Sequence, residues 1–180
     1  MGKITKHNPR VKLIIGLVYK DEAVFIKARN ELRKKFGRVD FEPAPIDFNY
    51  TDYYEAEMGK GLKRRFISFS KLIPIEGLYR IKLYTNRLEA RFLEGACRRI
   101  NIDPGYMDLA KLVLATTKDY AHRIFLRKGI FAEITLSYRE NTFSRNDWTY
   151  PDYCTKEYIG IFNQIRKRSE ERRVGKECRL

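Results

Sequence analysis

Strand-like and helix-like patterns alternate along residues 11–102, and this alternation constrains the fold more than any other feature of the sequence. The β-branched, apolar run Val11–Tyr19 predicts a central strand. Asp21 as N-cap and Gly37 as stop signal bracket a helix, and a second amphipathic helix is predicted over Ile75–Phe92. The remaining strands are predicted at Val39–Glu42, Arg65–Phe69 and Arg98–Ile102.

This order of elements, β-α-β-β-α-β, predicts an α+β fold with a ferredoxin-like split core, in which a largely antiparallel sheet carries two helices on one face. A β-hairpin around Gly129 and a C-terminal helix that begins at Thr155 extend this core. Segment Asp108–Lys118 predicts either a helix or a buried strand, because its apolar run has no decisive periodicity. In the second arm of the hairpin, one face is predicted to hold Ala132, Ile134, Leu136 and Tyr138.

Length and composition favour a single globular domain. The chain has 180 residues, of which 43% are hydrophobic and 33% are charged, so it is long enough to bury a substantial core. Residues 170–180 break the apolar periodicity of the preceding helix. We interpret them as a non-native or disordered tail that follows an α+β domain of residues 1–169.

Three further observations predict a cytoplasmic protein with no membrane partner. The sequence contains no apolar run of about 18 residues, which a transmembrane helix requires. Its first ten residues lack the apolar core of a secretory signal. The three cysteines form no Cys-x-x-Cys pair, which argues against a disulfide framework and a zinc knuckle.

The formal net charge of +14 at pH 7 indicates an anionic partner. An excess of positive charge raises the local concentration of anions, so a nucleotide, RNA or another phosphate-bearing ligand fits this sequence. The alternative is a solvated basic surface. No cluster of basic residues is long enough to act as a binding arm on its own.

Residues 47–65 form the first of three stretches that combine aromatic and charged side chains. Carboxylate oxygens in such a loop suit a hard cation such as Mg²⁺, whereas the lysines and arginines that follow suit an anion. The alternative is an ordered surface loop held by salt bridges. The candidate ligand-binding residues here are Asp52, Tyr53, Tyr54, Glu57, Lys63 and Arg64.

Residues 101–125 form the second stretch, and they include the only histidine outside the first ten residues. Histidine is a common general acid or base at neutral pH, so His122 and Asp103 are the candidate catalytic residues. The alternatives are a structural histidine and a turn, because the sequence Asp103-Pro-Gly is typical of turns. The candidate ligand-binding residues of this stretch are Tyr106, Lys111, Lys118 and Arg123.

The third stretch, Trp148-Thr-Tyr-Pro-Asp-Tyr, offers aromatic faces for a base or sugar ring, and Trp148 is its candidate ligand-binding residue. The alternative is that these rings wedge the last helix onto the domain. A phosphate-binding loop of the Gly-x-x-x-x-Gly-Lys-Ser/Thr type is absent from the sequence, and one usable histidine excludes a multi-histidine metal centre.

Four motifs, taken together, carry a family resemblance. They are Phe48-Asn-Tyr-Thr-Asp-Tyr-Tyr-Glu-Ala-Glu-Met-Gly with Gly61-Leu-Lys-Arg-Arg-Phe, then Asn101-Ile-Asp-Pro-Gly-Tyr, Lys111-Leu-Val-Leu-Ala-Thr-Thr-Lys-Asp-Tyr-Ala-His-Arg-Ile, and Trp148-Thr-Tyr-Pro-Asp-Tyr. From Val11 to Arg168 the chain resembles domain-of-unknown-function family 4416, an uncharacterised prokaryotic family whose members are sometimes labelled GTP-binding. The resemblance implies no established catalytic residues. Its motifs coincide with the three stretches above, which favours one shared site.

The leading functional hypothesis is therefore binding of a phosphate-bearing ligand, either a nucleotide or RNA, at a basic, tyrosine-rich site. The competing hypothesis is a small metal-assisted phosphohydrolase or transferase. In that case Asp52, Glu57 and Asp103 would hold Mg²⁺, and His122 would act as general acid or base. A third hypothesis is a protein-interaction module without a small-molecule site. The sequence leaves enzyme status, cofactors and oligomeric state open.

Overall fold

The computed structural model describes the backbone of residues 9–177 and the side chains of residues 9–170. The strands in this range are β1 (Arg10–Tyr19), β2 (Val39–Phe41), β3 (Ile46–Asp47), β4 (Lys63–Pro74), β5 (Ile100–Met107), β6 (Lys111–Thr116), β7 (Ile124–Arg127), β8 (Ile130–Arg139) and β9 (Thr142–Arg145). The α-helices are α1 (Glu22–Phe36), α2 (Glu55–Met58), α3 (Leu78–Ala90) and α4 (Lys156–Glu177). Among these helices, none combines the length and apolar character needed to cross a membrane. The predicted tail, residues 170–180, lies largely outside the described side chains and stays a prediction.

The strands form one open sheet in the order β2-β4-β1-β5-β6-β8-β7, with β3 beside β4 and β9 beside β8. Every neighbouring pair is antiparallel. This confirms the predicted α+β class with a largely antiparallel sheet. As predicted, β1 is a central strand; the short β2 lies at one edge of the sheet.

Local signals place α1 as predicted. The side chain of Asp21 accepts a hydrogen bond from the backbone N–H of Ala23 at 2.8 Å, which satisfies one of the free donors at the start of the helix. Gly37 ends the helix with φ 95°, a backbone conformation that favours glycine. The predicted helix boundaries are therefore confirmed.

Two apolar cores lie on opposite faces of the sheet, because side chains alternate between the faces along each strand. On the face that we call the α1–α3 face, both helices pack against a buried row of β1 that includes Leu13, Ile15, Leu17 and Tyr19. On the opposite face, which we call the α4 face, Ile14 and Phe66 pack against the C-terminal helix. Tyr158, Phe162 and Ile165 are the fully buried side chains of this helix.

The predicted turn at Asp103-Pro-Gly is wrong, because these residues lie inside β5. Pro104 pairs with β1 opposite Ile15, while the ladder to β6 begins only at Gly105. A Cβ atom on Gly105 would lie 2.4 Å from the carbonyl oxygen of Val113, so the close approach of β6 requires glycine here. Of the two alternatives for Asp108–Lys118, the strand is correct, since this segment contains β6.

The predicted common face of the second hairpin arm is also wrong. The register between β6 and β8 shifts between Leu112 and Val113, so that Thr135 of β8 is an extra, bulged residue. A bulge of this kind reverses the alternation of side chains beyond it. Ala132 therefore packs into the apolar cluster next to α3, whereas Leu136 packs into the core beneath α4.

Candidate functional site

A cavity of about 440 Å³ lies where β5 and β6 separate. It reaches from side chains of α3 to the segments 48–54 and 150–153 on the α4 face. Both aromatic and charged side chains line it. The aromatic residues are Phe48, Tyr50, Tyr53, Tyr54, Tyr150 and Tyr153, and the charged residues are Arg64, Lys82, Glu89, Arg98, Asp103, Lys118, Arg123, Glu133 and Asp152.

The cavity exists because the β5–β6 ladder stops short. The ladder covers only residues 105–107 of β5. At Ile102, two side chains of α3 take the place of the missing partner strand. The N–H of Ile102 donates to the carboxylate of Glu89 at 2.6 Å, and its carbonyl accepts from the ammonium of Lys82 at 3.2 Å. Because the hydrogen-bonding direction alternates along a strand, the nitrogen of Pro104 points to the same side, and proline has no N–H to offer β6. Pro104 thus helps to hold the gap open.

Arg64 projects from β4 into the cavity and is 3% exposed. Its Nη2 donates to the carboxylate of Asp152 at 3.3 Å, and its Nη1 lies 3.7 Å from a carboxylate oxygen of Asp103. Nε and Nη1 are buried and have no hydrogen-bond partner among the described residues. Burial alone would lower the pKa of Arg64, but Tyr153 and the two carboxylates raise it above its usual range. Arg64 is therefore charged. The hydroxyl of Tyr158 also interacts with it, yet neither Nε nor Nη1 makes a hydrogen bond of ordinary length and angle with a described residue.

Asp103 is a hydrogen-bonded carboxylate of the cavity wall. It accepts from the side-chain amide of Asn101 at 2.7 Å and from the ammonium of Lys82 at 3.4 Å. Glu89 differs, because burial and the charge of Asp103 outweigh Lys82 and raise the pKa of this carboxyl from 4.5 to about 7. The carboxyl of Glu89 therefore gains and loses its proton near neutral pH.

Lys118 and Arg123 form the cationic rim of the cavity. The ammonium of Lys118 lies 4.4 Å from the centre of the Tyr53 ring and 3.4 Å from its hydroxyl, and it forms no ion pair with any described residue. Each of the three guanidinium nitrogens of Arg123 already donates one hydrogen bond: to the carboxylate of Glu133 at 2.8 Å, to the hydroxyl of Tyr150 at 3.1 Å and to a backbone carbonyl. Lys118 is therefore the available cation of the rim.

An aromatic stack lies next to this rim. The imidazole of His122 is 3.0 Å from the carboxylate of Glu133 and stacks on Trp148 with ring centres 5.3 Å apart. The ring of Tyr120 stacks on its other side at 6.1 Å. Trp148 itself is anchored, because its indole N–H donates to the carbonyl of Ile134 at 2.9 Å. His122 and Trp148 are neighbours of the cavity and do not line it.

The structure brings together six of the predicted site residues, which line the cavity: Tyr53, Tyr54, Arg64, Asp103, Lys118 and Arg123. Glu57 contributes indirectly, since it pairs with Arg98 of the cavity wall. Four predicted residues lie away from it, namely Asp52, Lys63, Tyr106 and Lys111. Their assignment as ligand-binding residues stays a prediction.

Each displaced residue has a local reason. Lys63 is adjacent to Arg64 in β4, so the alternation of side chains directs it to the opposite face of the sheet. Tyr106 is buried in the apolar cluster next to α3. Lys111 pairs with Asp108 at the turn between β5 and β6, 3.3 Å away. Asp52 begins a 3-10 turn and does not reach the cavity.

The predicted metal and acid–base sets do not assemble. Among the described residues, no group of three or more His, Cys, Asp or Glu side chains is placed to hold a metal ion. The predicted Mg²⁺ ligands have other partners, since Glu57 pairs with Arg98 and Asp103 with Lys82. His122 and Asp103 make separate hydrogen bonds and do not face the same cavity.

Sequence reasoning missed several wall residues, most clearly Lys82 and Glu89. They lie seven positions apart on α3, next to the buried stripe of Leu78, Ile81 and Leu88. Polar side chains at helical spacing beside an apolar stripe are the signal that would have found them. Asp152 and Glu133 gave a weaker signal, because only the tertiary structure reveals that they are buried.

Comparison with known proteins gives one family. A family model described as "Domain of unknown function (DUF4416)" matches residues 9–168, most of the chain. No curated protein and no solved structure matches the sequence.

Proposed function

This chain belongs to the DUF4416 family, a family of unknown function, and we propose that its cavity binds a phosphate-bearing small molecule of nucleotide size. Arg64 is the observation that carries the proposal. Two of its donors are buried at the cavity without an acceptor. A buried donor left without a partner costs about 1–3 kcal/mol, so this arrangement favours a ligand that supplies acceptor atoms.

The size and walls of the cavity support a nucleotide over RNA. A volume of about 440 Å³ falls in the range of small-molecule sites. Proteins that bind single-stranded RNA present instead an open groove with rings spaced along it. Six aromatic side chains line the cavity, and aromatic walls suit a ligand that carries a planar base.

Calorimetric titration of the full chain with the common nucleoside 5′-monophosphates and with a short single-stranded RNA, each at two salt concentrations, tests this proposal. We expect saturable binding of at least one monophosphate that weakens as salt rises. Arg64→Lys keeps the charge and removes the unused donors, so it should weaken this binding.

Lys63→Gln is the matched control, because it removes one positive charge from the opposite face of the sheet. It should leave nucleotide affinity unchanged. Absence of binding for every nucleotide, or equal affinity in Arg64→Lys and the unmodified chain, contradicts the proposal. If RNA binds more tightly than any nucleotide, the binding site is a surface groove and not the cavity.

Two finer points belong to the same proposal. The strand order β2-β4-β1-β5, with α1 and α3 on one face, supports a ferredoxin-like split core that β6 to β9 and α4 extend. The cytoplasm is the proposed compartment, and the free thiols of Cys97 and Cys154 support it.

A further inference from the structure

The structure also points to the orientation of the ligand, an inference that rests on the proposed function. We propose that the cavity holds a nucleoside monophosphate with its uncharged part at Arg64 and its phosphate at the rim, on Lys118. Inorganic phosphate alone is then a poor ligand. The opposite orientation, with phosphate on the buried arginine, would be the first expectation for an arginine in a cavity.

We call the part of the cavity around Arg64, Asp103, Asp152 and Tyr153 its floor. The charges already present there argue against a phosphate at this position. Arg64 already lies within 3.3 Å of a carboxylate oxygen of Asp152 and 3.7 Å of one of Asp103. Lys82 is shared with the same Asp103. A phosphate on the free nitrogens of Arg64 would therefore meet two carboxylates in a buried environment, where repulsion between like charges is poorly screened.

Neutral acceptors fit the same floor without this repulsion. Nε and Nη1 of Arg64 can donate to a ring nitrogen, a carbonyl or a hydroxyl. The hydroxyl of Tyr153 is likewise buried without a partner among the described residues. Asp103 adds carboxylate oxygens that accept from ligand hydroxyl or amino groups. The floor thus offers both donors and acceptors to an uncharged base and sugar.

The rim has the opposite character. Lys118 lines the mouth, and its ammonium has only the ring and hydroxyl of Tyr53 beside it. Each guanidinium nitrogen of its neighbour Arg123 already has an acceptor, in Glu133, Tyr150 or a backbone carbonyl. Lys118 is therefore the cation that gains a partner when a phosphate arrives, and its exposure leaves the phosphate partly solvated.

The test compares three ligands by calorimetry on the full chain: a nucleoside, its 5′-monophosphate and inorganic phosphate. Each is titrated against the unmodified protein, Lys118→Gln and Lys63→Gln. We expect the monophosphate to bind about tenfold more tightly than the nucleoside, since one charge-assisted hydrogen bond gives a factor of this order. Lys118→Gln should abolish this difference and keep nucleoside affinity, whereas Lys63→Gln should keep the difference.

Two results overturn the orientation while leaving the proposed function intact. One is a preference for the monophosphate that persists in Lys118→Gln. The other is competitive binding of inorganic phosphate that is lost in Arg64→Lys. Absence of binding for the nucleoside and the monophosphate alike contradicts the proposed function itself. Unchanged thermal unfolding of Lys118→Gln, an exposed substitution, confirms that any loss comes from the site.

Discussion

Two clusters of buried charge in this protein differ in how completely they are satisfied. In the first, the ammonium of Lys12 pairs with Asp40, whose second oxygen accepts from the hydroxyl of Ser68 at 2.7 Å. In the second, Arg64 faces Asp103 and Asp152 and keeps two donors without partners. The first cluster has no cavity residue, whereas the second lies in the cavity wall. Both clusters bury charge, so burial alone does not distinguish them. The donors without partners beside a cavity are the feature that sets the Arg64 cluster apart and on which the proposed site rests.

The difference has an energetic meaning. A buried ion pair whose polar atoms are also hydrogen-bonded mainly specifies how the elements around it pack. Replacing both partners with apolar residues often leaves stability unchanged. A cluster with buried donors that lack acceptors lowers the free energy of unfolding, and a ligand that supplies the acceptors can raise it again. Substitutions in the Lys12 cluster should thus change folding, and those in the Arg64 cluster should change binding.

The largest expected effect on stability is that of Asp40→Ala, which removes the carboxylate that pairs with the buried ammonium of Lys12. Breaking a buried pair costs about 3–5 kcal/mol of unfolding free energy, and urea denaturation measures it. The double substitution Lys12→Met with Asp40→Leu should recover most of this loss. Equal destabilisation in the single and double variants would show that the pair is not what stabilises this region.

The next effect is the pH dependence that Glu89 introduces. Folding raises the pKa of this carboxyl from 4.5 to about 7. At a pH between these two values, the carboxyl is ionised in the unfolded chain and keeps its proton in the folded chain. Stability should therefore fall as pH rises through this window, by about 3 kcal/mol in total from this group. Urea denaturation across the window should show a shallower fall for Glu89→Gln. Parallel pH profiles for the two proteins would contradict this origin.

A smaller effect is expected from Arg64→Lys, measured as nucleotide affinity. Lysine retains a charge for Asp103 and Asp152 and lacks the planar set of donors. Affinity should fall by about 1.5 kcal/mol, roughly tenfold in Kd. Asp40→Ala, studied at a temperature where it stays folded, should retain the affinity of the unmodified chain. A loss of affinity in both variants would remove the distinction between the clusters.

The smallest effect on stability belongs to Lys118→Gln. Its ammonium has no ion pair among the described residues, so the unfolding free energy should change by no more than about 0.5 kcal/mol. Urea denaturation without ligand provides the measurement. A clearly larger loss would assign Lys118 to the folded framework and not to the rim of a binding site.

The parts of the fold that the sequence predicted correctly have local causes. Val11–Tyr19 forms a buried strand because its side chains, apart from Lys12, are apolar on both faces. Asp21 and Gly37 limit a helix through their own capping and backbone preferences. Local preference failed at Asp103-Pro-Gly, where pairing with β1 overrides a strong turn signal. It also failed at Ala132 and Leu136, which one bulged residue places on opposite faces.

The candidate site shows the same division. Aromatic and cationic residues in separate motifs predicted a common site, and Tyr53, Arg64 and Lys118 do line one cavity. The sequence did not distinguish Lys63 from Arg64, because only strand alternation decides which of two adjacent cations reaches the cavity. Glu89 was missed because its role depends on α3 lying over the gap left by β6.

By itself, the sequence determined the α+β class, the central strand, the helix limits and a strong positive charge, since these follow from side chains and their near neighbours. The tertiary structure decided where the β5–β6 ladder ends, which cations face inward and which buried carboxyl group keeps its proton. These properties depend on strand register and on burial by distant elements, and no local pattern encodes either one.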